Sequence, residues 1–270
     1  MSTRVRWLLL AVAAAQAVFA LVFWFQLPLV GAIWPWPATS PLSATFVASI
    51  FAAAAASTAW CAVFRRERAL AGIALDYLVI FVPFALFSAL RAAQGAGTGV
   101  AAFAVACGFG VVIGAGILRY SLRFGWRAAA PAPALARVSF AVFVVALVLA
   151  GSMLVLGAPN VLPWTVTPDL SVLFGFIFLG AAAYFVFALA RPVADNVPGQ
   201  LAGFLLYDVV LLGPFLVRLP TIDDAFRLSL LVYLAALIYS AVLALYYLLL
   251  HPTTRIVGQP ELATGAATGG

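Results

Sequence analysis

Two acidic residues lie inside otherwise apolar stretches of this chain, and they have the strongest claim to chemistry. Asp76-Tyr77 is followed by Pro83-Phe84, and Tyr207-Asp208 by Pro214-Phe215, with the prolines 131 positions apart. An ionised carboxylate facing lipid is expensive, so acids within membrane spans face a bundle interior, a water-filled cavity or a bonding partner. Asp208 would lie near mid-depth, about 15 Å into its helix, whereas Asp76, about six residues from the near end, would approach headgroup water. Pro83 and Pro214 would kink their helices and free carbonyl groups, as in helices that line a path. The plainer use of each acid is a hydrogen bond across helices to a tyrosine or a carbonyl.

Few other residues offer chemistry. His251 is the only histidine, which excludes a haem held by two axial histidines of one chain. Cys61 and Cys107 stand in different apolar runs with no spacing partner and read as small core residues. No phosphate-binding glycine loop, zinc-protease pair or nucleophile elbow occurs. No metal, cofactor or catalytic group is therefore expected. Asp223 and Asp224, beside Arg218 and Arg227, read as surface ion pairs.

The elements that must carry these residues follow from composition. Of 270 residues 66% are apolar and 8% charged, too little polar surface to clothe a water-soluble globule of this size. Eight apolar runs, 7–30, 42–64, 70–90, 99–118, 138–156, 170–190, 199–217 and 226–250, are each long enough to span a bilayer as a helix. None shows the alternation of a membrane barrel strand. The first run follows Arg4 and Arg6 but exceeds a signal peptide's apolar region, so it is read as a retained span.

The chain also repeats itself. Pro35-Trp36-Pro37-Ala38-Thr39-Ser40-Pro41-Leu42-Ser43 returns 128 positions later as Pro163-Trp164-Thr165-Val166-Thr167-Pro168-Asp169-Leu170-Ser171. With the acid and proline pairs, this predicts an all-α transmembrane bundle of two parallel four-helix repeats, 1–130 and 131–251, followed by a flexible tail, 252–270. The basic linker 119–137 would join the halves.

All cationic side chains are arginines. Eleven fall at one set of helix ends and three (Arg91, Arg218 and Arg227) at the other, which predicts cytoplasmic termini and external Pro-Trp loops. The net charge of +6 then records topology and needs no nucleic-acid partner. Within the loops Pro41 and Pro168 suit the first turn of a helix, and Thr39, Ser40 or Thr167 would cap it. Trp34, Trp36 and Trp164 would sit at headgroup depth, and the paired loops could alternatively form an external docking surface. The Gly110 and Gly114 pair, four residues apart, and the small residues 52–57 would let helices approach closely, within the bundle or against a second copy.

The segment Trp34-Pro35-Trp36-Pro37-Ala38-Thr39-Ser40-Pro41-Leu42-Ser43-Ala44, leading into an alanine-rich run that ends in Arg65-Arg66-Glu67-Arg68, resembles polytopic inner-membrane proteins of high-GC bacteria with similar loops. That resemblance implies a bacterial cytoplasmic membrane and brings no activity with it. Three uses are open: a structural or accessory subunit bound to other membrane subunits or a second copy, a carrier of a small solute or protons, and a lipid-modifying enzyme using Asp208, Asp223 and Asp224.

Overall fold

The computed structural model describes residues 1–127 and 130–255. Nine α-helices account for most of them: α1 (Thr3–Trp24), α2 (Val30–Ile33), α3 (Pro41–Val63), α4 (Leu70–Ala93), α5 (Thr98–Ser121), α6 (Ala134–Val155), α7 (Pro168–Ala190), α8 (Pro198–Arg218) and α9 (Asp224–Leu245). All but the one-turn α2 are long and apolar enough to cross a bilayer, and the chain is a multi-pass helical membrane protein. Residues 256–270, which hold most of the expected tail, lie outside the described residues.

The helix starts obey local rules. Ser40 Oγ accepts the Leu42 N–H at 3.3 Å and Thr167 Oγ1 accepts the Leu170 N–H at 3.3 Å, while Pro41 and Pro168 occupy first-turn positions that need no donor. Asp223 caps α9 through the Ala225 N–H at 3.0 Å. Single-turn 3₁₀ segments at Glu67–Ala69 and Ala194–Asn196 lead into α4 and α8. Both α4 and α8 continue through their interior prolines, Pro83 and Pro214.

Tertiary packing does not follow chain order. α1 lies along α3, α6 along α7, α4 along α5 and α8 along α9, but the principal contacts joining these pairs are α3 with α8 and α4 with α7. Sequence neighbours α3 and α4 touch only lightly. α3 and α7 form the centre, with 61% and 50% of their spanning residues buried against 17% for α5. Phe46 and Phe174 meet there with ring centroids 4.8 Å apart, and Phe178 stacks on Phe46 at 5.6 Å. Outward faces carry Phe109, Val142 and Val232, whose exposure suits a lipid solvent.

Glycines allow the two joining contacts. A Cβ on Gly72 would lie 2.6 Å from the Tyr184 ring of α7, and one on Gly203 would lie 3.2 Å from the Ala53 carbonyl of α3. Leu70-Ala71-Gly72 and Leu201-Ala202-Gly203 share the 131-position offset of the prolines.

Ionic and polar links hold the two ends. At the arginine-rich end Arg66 and Asp195 form a buried ion pair at 2.6 Å, and Arg127 reaches Glu67 at 3.6 Å. At the opposite end Arg91 pairs with Asp169 at 3.0 Å. There the Pro-Trp loops also meet: Thr39 Oγ1 donates to the Thr165 carbonyl at 2.8 Å, and Trp164 Nε1 donates to Ser43 Oγ at 3.0 Å.

Candidate functional site

Asp76 and Asp208 are not brought to one site. Asp208 is fully buried on α8; its Oδ2 accepts a 2.8 Å hydrogen bond from Ser240 of α9, and its Oδ1 is buried without a partner. Asp76 instead faces α7, where its carboxyl abuts Gly180. The exchanged order of acid and tyrosine explains this divergence. One residue turns about 100° around a helix, so Asp-Tyr and Tyr-Asp direct their carboxyls to different neighbours.

The surroundings of Asp76 are the more polar. Gln16 of α1 donates to the Tyr77 hydroxyl. Thr58 and Cys61 of α3 lie beside Tyr77, and Ser57 of α3 lies beside the hydroxyl of Tyr184 from α7. Ser57 Oγ also donates to the Gly199 carbonyl of α8 at 2.9 Å. Five helices thus converge on one region: α1, α3, α4, α7 and α8.

Several atoms in this region lack partners. Gln16 Oε1 is buried without a hydrogen bond, as is Gln200 Oε1 one residue beyond Gly199, while Thr58 Oγ1 and the Tyr184 hydroxyl approach Tyr77 and Ser57 without reaching full hydrogen-bond geometry. Among the described residues no hydrogen bond to the Asp76 carboxyl is found, and the side chain is half-buried. Buried polar atoms are normally satisfied, and at membrane depth an unmet one has no bulk water to turn to. The cluster is polar and incompletely satisfied, and Gly72 and Gly180 let α4 and α7 close upon it.

Counted from the first residues of their helices, Asp76 stands six positions into α4 and Asp208 ten into α8.

The Asp208 neighbourhood draws on fewer helices. Tyr207 and Tyr233 hydrogen-bond to each other, and the Tyr207 ring lies edge-on to Phe46 at 6.3 Å. Pro83 and Pro214 lie toward the Pro-Trp end of the same two helices. Trp36 and Trp164 are 3% and 2% exposed, packed inside the protein rather than turned to lipid. Trp36 meets Phe87 and Phe103, and Trp164 meets Phe46 and Phe215. Trp34 is half-buried against Phe23 and Phe103.

The remaining motif residues have structural uses. Thr39 ties the loops together, Thr167 caps α7, and Cys61 and Cys107 are buried. Gly110 and Gly114 receive Phe81 and Leu78 of α4, so this close approach serves packing within the bundle. Asp224 pairs with Arg227 at 3.1 Å, and Asp223 is engaged as a cap, so neither joins Asp208. Gln16, Thr58 and Tyr184 were not singled out by sequence, and Ser57 only as one of the small residues 52–57, although each is a polar interruption of an apolar run. No protein-family model, no curated protein and no solved structure matches the chain.

Proposed function

We propose that this protein is a membrane carrier for protons or a small protonatable solute, with Asp76 as the titrating group. The observation that carries this reading is the five-helix polar cluster in which the Asp76 carboxyl has no protein partner and neighbouring buried atoms are unpaired. Gln16, Tyr77, Thr58 and Tyr184 would hold the water or solute that exchanges a proton with it. The arrangement supports two parallel four-helix repeats whose inner helices are exchanged, α3 lying on α8 and α4 on α7. The arginine distribution favours Pro-Trp loops on the outer side and both termini in the cytoplasm, and the loop resemblance favours a bacterial cytoplasmic membrane.

Proteoliposomes containing trapped pyranine test this reading. A pH gradient is expected to collapse faster with the wild-type chain than with empty vesicles. Asp76→Asn should remove the difference, while Asp208→Asn should retain it. An unaltered gradient with wild-type protein, or equal rates for wild type and Asp76→Asn, would overturn the reading.

A second reading, a structural or accessory subunit, is favoured by a separate observation. Asp208 is the fully buried acid, and its Oδ2 joins α8 to α9 through Ser240. Stable co-purification with another membrane protein from native membranes, together with absent proton flux, would favour it.

A further inference from the structure

On the Pro-Trp side, away from the Asp76 cluster, a cleft of about 490 Å³ opens between the end of α1, α2, the first loop and the start of α3. Its walls include Phe23, Val30, Trp34, Trp36, Ser43 and Val47, with no charged side chain. A second cleft of about 470 Å³ adjoins it and shares Val30, Gly31, Ala38 and Ala44. Both are within the size range of ligand pockets.

The first cleft contains an unmet donor. Trp36 is 3% exposed, yet its Nε1 is buried without an acceptor. Its counterpart in the other loop is satisfied, because Trp164 Nε1 donates to Ser43 Oγ at 3.0 Å. The residue corresponding to Ser43, Ser171, donates instead to the Leu154 carbonyl at 2.7 Å, and no acceptor has replaced it beside Trp36. Ser43 accepts one bond and retains a hydroxyl proton, so the cleft offers two neutral donors. An uncharged, largely apolar cavity whose unmet side-chain group is a donor favours a neutral acceptor on an apolar body. At the level where spanning helices end, that chemistry is an acyl ester: a carbonyl oxygen at the interface with a hydrocarbon chain attached.

We propose that this double cleft is a glycerolipid-binding site, with the Trp36 indole N–H bound to an ester carbonyl of the lipid, an acyl chain along Phe23 and Val47, and the glycerol side in the adjoining cleft beside Gln26, Thr39 and Ser40. Gly31 lies between the two spaces, and a Cβ there meets no atom within 4 Å. Gly31→Leu would therefore fill the space without displacing the protein. Trp36→Phe keeps an aromatic ring and removes the donor.

The test uses the purified full-length chain with phosphatidylglycerol carrying a diazirine in one acyl chain. Illumination should label residues 23–47 preferentially, and native mass spectrometry should retain one lipid per chain. Gly31→Leu should abolish both signals with its thermal unfolding temperature unchanged. Trp36→Phe should weaken retention by about fivefold, the loss of one neutral hydrogen bond. An ether-linked analogue, which lacks the carbonyl, should bind wild type and Trp36→Phe alike. Labelling spread evenly over α1, α5, α6 and α9, or undiminished in Gly31→Leu, would overturn the site. A fatty acid competing as well as the diacyl lipid would overturn the assignment to a glycerolipid.

Discussion

At the residue scale, the polar side chains divide into those with partners and those without. Asp208 meets Ser240 through Oδ2 but leaves Oδ1 buried without a partner, and Gln16, Thr58 and Tyr184 leave atoms unbonded near Asp76. Ser240→Ala is expected to destabilise the protein by about 1 kcal/mol, within the range of interhelical hydrogen bonds in membranes, measured by unfolding in mild detergent. A loss below the detection limit would show that the contact contributes nothing net. The loops permit a covalent check. Thr39 Oγ1 and Thr165 Oγ1 are 3.3 Å apart, so cysteines introduced at both positions should form a disulfide. Because Cys61 and Cys107 are buried, the new bridge can be read by a gel shift on reduction. Spontaneous formation in cells would also favour external loops, since oxidising conditions prevail outside the cytoplasm.

At the element scale, close helix approach depends on missing side chains. A Cβ on Gly175 of α7 would lie 2.7 Å from the Gly151 carbonyl of α6 and 2.9 Å from the Val155 nitrogen, both backbone atoms that cannot rotate aside. Gly175→Ala is expected to cost about 1–3 kcal/mol through forced separation of α6 and α7. Gly116→Ala, where nothing lies within 4 Å, should be neutral or stabilising by up to about 1 kcal/mol. Thermal unfolding of both variants in one detergent checks the contrast. Equal shifts would mean that α6 and α7 do not cross at these glycines. Helix starts needed no such tertiary help. Ser40-Pro41 and Thr167-Pro168 announce their caps locally, because the bonding groups lie within three residues.

At the scale of the whole molecule, the halves are joined chiefly through α3 with α8 and α4 with α7, not through α3 with α4. Phe46 and Phe174, 128 positions apart, touch across the centre. This pattern ties the first 127 residues to the remainder through two long helix pairs. It predicts that separately encoded 1–127 and 128–270, expressed together with one tag, will co-purify as a complex. The cut leaves the Ala130 and Ala132 contacts with 192–194 inside the second piece. Recovery of the tagged half alone would contradict the interlocked arrangement. The buried Arg66–Asp195 pair belongs to the same interface, because its partners come from different halves.

The eight spans, their approximate limits, the capped loops and the apolar cysteines were legible in the sequence, since span length, capping and hydropathy depend on residues close along the chain. Only the tertiary structure decided that α8, rather than α4, lies on α3, and that Gln16, Ser57, Thr58, Tyr77 and Tyr184 gather near Asp76. It also placed Trp36 and Trp164 inside the protein, where sequence suggested a lipid boundary. The physical reason is that lipid tails are as apolar as the helix faces, so hydropathy marks a helix as spanning without naming its partner. That choice rests on shape, such as Gly72 beneath Tyr184 and Gly203 beside Ala53, and shape is shared between residues far apart in the chain.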